Sequence, residues 1–431
     1  MPDSHKIIYP EDKIHFSKLV PMGLQHVVAM FGSTALAPLI MGFDPQCALF
    51  FSGVGTLIFV FCTQMQVPSY LGSSFAFIGP VLAVTGGNPA NIPFALSGIA
   101  GAAVLYALAA AFTLRNGPDW IDRLMPPIVT GTVVTIIGLN LAQGAVANAI
   151  NADFSLATAH DWRLVFVSGT TFAVAAAVSI YLRGFLRLLP VLCGVLAGYA
   201  LALALGEVDY VAIAKIATAP WFGLPPFQTP VFSAHAVLVI APIFVVLVAE
   251  NKGHIAAISG FLGRDLNRHL GRAYLGDAVA TFVSACGGGT PQTTYAENMG
   301  VMAITRVFST YNFIAAACMA ILLGLCPKFG AAVQSIPNPV LGGITLILYG
   351  LIALMGVKIW IDARVDFCAH KNLVIAGSTI ILSTGLGIKG VTVGGLNIAG
   401  IAFGTVLALG MNFLLSPGTH KDKQDSKTCG A

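Results

Sequence analysis

Two acids in this chain stand where acids are expensive. Glu250 lies in IFVVLVAENKGHIAAISG, residues 243–260, with His254 four positions on. At that spacing a carboxylate and an imidazole share a helix face. Such a pair can hold, pass or sense a proton. Glu297 lies near the end of GGTPQTTYAEN, residues 288–298, where consecutive glycines run into a proline and polar residues between apolar runs. An ionisable group inside a membrane costs roughly 2.5–3.5 kcal/mol even on lenient scales, so it is a functional candidate by default. Most of the other acids fall in tails or loops; Asp277 is a third candidate, nearer the end of an apolar run and read as structural.

The elements that position these groups are set by composition. The chain is 56% hydrophobic and 9% charged, with a mean hydropathy of +0.84. Soluble domains carry roughly 25% charged residues, so the chain reads as an integral, all-α polytopic membrane protein. Its net charge of +4 says little, because location decides what membrane-protein charges do. No nucleic-acid patch is present. The first residues are polar, lack a signal-peptide core and read as a cytoplasmic tail. Cys47, Cys62, Cys193, Cys286 and Cys318 sit in apolar runs and read as small apolar side chains.

A spanning helix needs about 20 apolar residues. Fourteen runs qualify, near 17–40, 45–64, 68–86, 93–114, 126–148, 164–182, 187–206, 234–256, 271–287, 293–308, 309–327, 338–357, 371–388 and 392–415. Arg115, Arg123, Arg183, Arg187, Arg264, Arg268, Arg272, Lys358, Arg364 and Lys371 fall in or beside alternate loops, together with lysines of both tails. Arg163, Lys215, Lys328 and Lys389 occupy the opposite loops. This asymmetry predicts both termini in the cytoplasm.

The chain repeats itself. MPPIVTGTVVTIIGLNLA (125–142) is similar to PNPVLGGITLILYGLIAL (337–354), with Pro339 lying 212 positions after Pro127. Seven segments per half is an odd number, so the halves are expected to be inverted in the membrane, a transporter architecture. The counterpart of the glycine stretch is PSYLGSSFAFIGP, residues 68–80, also short and broken by glycine and proline. Such a matched pair is the best sequence pointer to a transporter's substrate site. Each break frees backbone N–H groups at a half-helix N-terminus.

Two carboxylates that accept and two half-helix N-termini that donate suit a small planar molecule with alternating N–H and C=O groups. The imide edge of uracil is one such pattern; a purine dione or an amino acid satisfies the same chemistry. Phe75 or Tyr295 offers a ring face to cover it. Gln25 and His26, in the first segment, read mainly as structural donors, and Asn298 either links helices or orients Glu297. Lys252 reads as a snorkelling side chain. The glycines are not a phosphate loop, since no G-K-[ST] follows. No zinc spacing, catalytic triad, voltage-sensing helix or loop long enough for an ATPase module is present, and neither a metal nor a cofactor is expected. Transport would be driven by an ion gradient or be passive, and an enzyme is the least supported class.

Taken together, Gln25-His26, LGSSFAF (71–77), VAENKGH (248–254), TTYAEN (293–298) and Glu297-Asn298-x-Gly300-x-x-x-x-Thr305-Arg306 resemble the nucleobase–ascorbate transporter family, and most of all its bacterial uracil and pyrimidine permeases. The resemblance covers about residues 17–415. It implies a tail at 1–16, a core domain of segments 1–4 and 8–11 (17–124 and 209–335), a gate domain of segments 5–7 and 12–14 (125–208 and 336–415), and a tail at 416–431. It implies extended stretches in segments 3 and 10, and proton-coupled uptake of uracil or other pyrimidine bases across the inner membrane, commonly as a homodimer. By this resemblance Glu250 and Glu297 hold the N–H groups of the base. His254 bonds to Glu250 or the ligand and takes part in proton coupling. Backbone N–H groups near Phe75 and Ala296 meet its carbonyls, and Ser33 and Tyr295 line the pocket. Gln25, His26, Asn298, Thr305 and Arg306 support the site. The acid at 297 and Phe75 resemble the uracil branch. LMPPIVTG and the AENxGH pattern resemble broader pyrimidine permeases, and Lys252 departs from the usual uncharged residue. A xanthine or uric acid symporter of the same family, or an anion transporter of related fold, is the alternative.

Overall fold

A computed structural model describes residues 7–150, 162–387, 390–393 and 396–415, with the side chains of Ser33, Asp122, Ala296, Val393, Leu396 and Asn397 also outside the description. Segment 1 is α1 (Phe16–Ala29) and α2 (Ala37–Met41), bent by 57° around a π turn at Gly32–Leu36. Segment 2 is α3 (Pro45–Cys62). Segment 3 opens with strand β1 (Leu71–Ser73), turns through Phe75–Phe77 and continues as the half-helix α4 (Ile78–Thr85). Segment 4 is α5 (Ile92–Asn116), followed by a short connecting helix, α6 (Asp119–Leu124). Segments 5, 6 and 7 are α7 (Pro127–Ile150), α8 (Trp162–Tyr181) and α9 (Pro190–Leu205).

After the connecting helix α10 (Tyr210–Thr218), the second half repeats the pattern. Segment 8 is α11 (Ala234–Ile240) and α12 (Phe244–Leu262), continuous through a 3-10 turn at Ala241–Ile243 that holds Pro242. Segment 9 is α13 (Leu270–Cys286). Segment 10 is strand β2 (Gln292–Thr294) and the half-helix α14 (Ala296–Thr305). Segment 11 is α15 (Thr310–Gly324), with connecting helix α16 (Pro327–Gln334) after it. Segments 12 and 13 are α17 (Asn338–Asp362) and α18 (His370–Leu386). Segment 14 departs from a helix beginning at 392. A hairpin of β3 (Val391–Val393) and β4 (Leu396–Ile398) comes first, and α19 (Gly400–Leu414) follows. The β-branched Val391-Thr392-Val393 run favours a strand, and hydropathy alone does not separate a short apolar strand from a helix.

Bonds between loops check the segment count. Gln64, after segment 2, accepts from Arg272, in the first turn of segment 9. Arg264, after segment 8, pairs with Glu11, before segment 1. On the other face, Gln334 donates to Asp44 at 2.8 Å, Gly223 N–H to Leu325 O at 3.0 Å and Val231 N–H to Pro93 O at 2.8 Å. Each of these bonds joins loops or helix ends on one side of the membrane, separated by an even number of crossings, as a chain threading a bilayer fourteen times requires. Among the described helices six are long and apolar enough to cross alone, or eight counting two bent pairs. The other crossings are shorter or broken. Large apolar side chains such as Leu108, Leu354, Ile381 and Phe413 stand exposed on helix flanks, where lipid rather than water is the fitting neighbour.

The halves are related by an inverted repeat, visible in which helices touch. The packing of α5 on α13 and α11 has its mate in α15 on α3 and α1. The pairing of α8 with α9 has its mate in α18 with α19, and that of α17 with α8 in α7 with α18. The repeated Pro/Gly helices α7 and α17 lie antiparallel on each other. Gly131 faces Gly356, while Gly138 faces Tyr349 and Ala353. Small residues at these crossings let the two backbones approach closely.

Candidate functional site

The two broken segments meet. β1 pairs antiparallel with β2, with Leu71 opposite Thr294, Gly72 opposite Thr293 and Ser73 opposite Gln292. Ser74 N–H donates to Pro291 O at 2.9 Å, and Tyr295 N–H to Tyr70 O at 3.2 Å. An antiparallel ladder of this kind is what an inverted repeat makes of two equivalent strands.

Backbone groups that the ladder leaves over must find partners, because nothing else at this depth supplies them. The equivalent helices α3 and α13 do so with hydroxyls. Leu71 N–H donates to Thr56 Oγ1 at 2.9 Å and Ser52 Oγ to Leu71 O at 2.6 Å. In the other half Gln292 N–H donates to Thr281 Oγ1 at 3.1 Å and Ser284 Oγ to Thr290 O at 2.6 Å. The crossing also needs a glycine. A Cβ on Gly72 would stand 2.7 Å from both Cζ and Oη of Tyr295. That ring is 3% exposed, and its hydroxyl donates to Ser73 O at 2.8 Å. Tyr295 therefore braces the crossing, whereas Phe75, at the start of the turn leading into α4, stays partly accessible.

The two carboxylates flank this crossing. Glu250 comes from α12 and Glu297 from the first turn of α14. Glu250 stands one turn before His254, which bonds to Thr294 of β2, and Glu297 stands three residues after Thr294. Glu250 Oε2 is buried with no hydrogen-bond partner among the described residues. Glu297 occupies the helix-dipole position favourable to an anion. The half-helix that presents it begins at Ala296, whose side chain, like that of Ser33, lies outside the described residues.

His254 is tied to the crossing itself. Its Nδ1 lies 2.7 Å from Thr294 Oγ1, so its partner within the protein is a strand residue of β2. Register, not helix spacing, creates this bond. His26, 1% exposed, places Nδ1 2.9 Å from Asn298 Oδ1 and packs its ring 4.5 Å from that of Phe313. This bond makes Asn298 a link between segments 1 and 10. Asn298 Nδ2 is buried with no partner among the described residues. Gln25 is half-buried on the same helix. Thr305 and Arg306 lie at the far end of α14. Thr305 Oγ1 donates to Val301 O at 2.8 Å, and Arg306 closes the helix at φ +55°. The bond between His26 and Asn298 predicts strong non-additivity. Single Ala replacements should each weaken substrate affinity, and the double replacement should cost little more, with a coupling of about 1 kcal/mol in a double-mutant cycle of binding affinities.

Two features were not legible as site residues. Asn251, next to Glu250, donates from Nδ2 to Asp277 Oδ2 at 2.5 Å and to Tyr106 Oη at 3.1 Å. Asp277 is fully buried and lies within electrostatic reach of Glu250. This polar knot joins segments 4, 8 and 9 behind the carboxylate. The only available signal was an Asn directly after the Glu in AEN. Thr294 is the other, hidden in the TTY run. A cavity of about 420 Å³ lined by Phe43, Asp44, Gln228 and Gln334 lies at the loop ends near Asp44, and neither carboxylate lines it.

Inverted halves, paired broken segments at the crossing and acids beside them define a membrane transporter. The chain belongs to the nucleobase–ascorbate transporter family, its residues 17–394 matching the permease family. It is 43% identical over 421 residues to a protein of Escherichia coli (strain K12) named "Putative pyrimidine permease RutG", covering 95% of this chain and 92% of that one. It is 40% identical over 397 residues to the uracil permease of the same organism, covering 92% and 90%. In fold it is similar to the murine Slc26a9 anion transporter in its inward-facing state, with a TM-score of 0.66 at 11% identity, covering 94% of this chain and 69% of that one. The protein is thus an integral protein of the cell membrane and a permease.

Proposed function

We propose that the protein imports uracil across the cytoplasmic membrane, coupled to protons. The observation that carries this is the pair of acids flanking the strand crossing, one with a buried oxygen that has no partner among the described residues, in a chain 40% identical to a uracil permease. The two carboxylates accept the ring N–H groups, and backbone N–H groups near Phe75 and Ala296 meet the carbonyls. Phe75 covers the ring face.

In this reading a proton bound among Glu250, His254 and Glu297 removes the repulsion between two like charges, which links proton binding to base binding. Because the groups interact, the proton belongs to the set rather than to one residue. His254, tied to Thr294, connects the set to the crossing. Segments 1–4 and 8–11 form a core domain that carries the site past a gate domain of segments 5–7 and 12–14, with both termini in the cytoplasm. Packing supports this division, since α3, α5, α13 and α15 pack among themselves, and so do α7, α8, α17 and α18. A broader pyrimidine range is the second reading, favoured by the likeness to the RutG protein.

The test is radiolabelled uracil uptake into proteoliposomes with and without an inward proton gradient. A tenfold inward proton gradient supplies about 1.4 kcal/mol per proton and is expected to raise steady-state uracil accumulation about tenfold for one coupled proton. Uptake indifferent to the gradient would remove proton coupling, and competition by thymine or xanthine would redraw the specificity.

A further inference from the structure

Residues 7–12, in a region that reads in the sequence as a polar tail, are docked against the protein. Ile8 N–H donates to Arg306 O at 3.1 Å, and Phe308 N–H donates to Ile8 O at 2.8 Å. Thr310 donates to Pro10 O twice, from N–H at 3.0 Å and from Oγ1 at 2.8 Å. Ser309 Oγ donates to Asp12 O at 2.6 Å, and Pro10 is buried. All of these bonds fall on the loop that ends α14. The same segment reaches a second loop, where Glu11 Oε1 lies 2.7 Å from Arg264 Nη1 and the Arg264 guanidinium stacks 3.9 Å above the Tyr9 ring. Arg264 stands two residues beyond the end of α12.

The segment therefore fastens together the far ends of the two helices that carry Glu250 and Glu297. Phe261, on α12, and Phe308 pack 6.3 Å apart beneath it. The Glu11–Arg264 pair is about half exposed on both sides and so is worth little by itself. The backbone and hydroxyl bonds to residues 306–310 supply the hold, and the ion pair with its stacked ring fixes the direction. Because α14 has ten residues and no break, a tilt at Arg306 is transmitted to Glu297 at its other end.

We propose that residues 7–12 are a positioning strap that sets the spacing of the two substrate-binding carboxylates, so that loosening it weakens the hold on the base without removing any group that touches it. This rests on the assignment of Glu250 and Glu297 to the substrate.

Two full-length variants test it. One carries Tyr9→Ala, Glu11→Ala, Ser309→Ala and Thr310→Val; the other replaces residues 7–12 by a Gly/Ser hexamer. Hydrogen exchange at the Phe308 and Thr310 amides reports release of the strap. In the released protein KM for uracil should rise about tenfold while the maximal rate per folded transporter stays within about twofold, the signature of lost binding rather than lost folding. A simple structural role would lower the amount of folded protein and leave KM alone. Unchanged KM in protein whose amides have lost protection overturns the proposal. So does full amide protection in both variants, since the strap would then not hold the loop. If the unaltered protein neither binds nor transports uracil, the substrate assignment fails instead, and the two failures are told apart by that control.

Discussion

Replacement of Glu250 by Ala is expected to abolish uracil binding in protein that still folds, and Glu297→Gln to weaken it about 100-fold. A hydrogen bond to a charged group contributes about 1.5–3 kcal/mol, which converts to one to two orders of magnitude in affinity. The Ala variant loses more, because it also leaves a ring N–H of the base buried without an acceptor. The Gln variant keeps one acceptor oxygen and the helix-start position but cannot carry a negative charge. The two substitutions should therefore differ in pH behaviour as well as in size. With Gln at 297 the proton no longer relieves repulsion between two carboxylates, so gradient-stimulated uptake should fall more than equilibrium binding does. Direct binding by calorimetry and uptake in proteoliposomes, measured on the same preparations, separate the two effects. Retained uracil affinity in Glu250→Ala sinks the assignment of the base to this pair.

The chemistry of the site was readable in sequence to the extent that it depends on residue type. An acid in an apolar run is improbable without a purpose, and Glu250 and Glu297 announced themselves on that ground. The two broken stretches were readable because glycine, serine and proline interrupt otherwise apolar segments at matching places. What stayed hidden depends on register between distant strands. His254 and Glu250 share a helix face, yet His254 bonds to Thr294, because the β1–β2 ladder carries that hydroxyl to the histidine. Asn251 was invisible for a similar reason: its partners Asp277 and Tyr106 come from two other segments. The hairpin before α19 was lost to hydropathy, which scores Val391–Ile398 like a helix. The strap was lost to polarity, since a polar stretch gives no sign that its backbone is already paired.

The second large effect falls on a residue with no side chain. Gly72→Ala should prevent assembly of the crossing, because the added methyl meets the Tyr295 ring at 2.7 Å and closer, where real contacts essentially never occur. Neither partner can easily give way. β1 is fixed by its ladder to β2 and by the hydroxyls of Ser52 and Thr56. The ring is fixed by burial and by its bond to Ser73 O. Overpacking in a well-packed core costs about 1–3 kcal/mol where neighbours can relax, and this site sits at or above the top of that range. The expected result is a sharp loss of monodisperse protein in fluorescence-detected gel filtration, with a large drop in the melting temperature of what remains. The companion experiment is Gly72→Ala combined with Tyr295→Leu. Leucine lacks the ring atoms that collide, so folded protein should return. The crossing would still lack the hydroxyl that ties Tyr295 to β1, so affinity for the base should recover only in part. If Gly72→Ala folds and binds like the parent, the close approach of strand and ring is not what holds the two half-helices in register. Should the double variant fail where the single one fails, the glycine is required for its backbone rather than for space. Gly72 is absent from the protein's positive-φ glycines, which argues for the steric account.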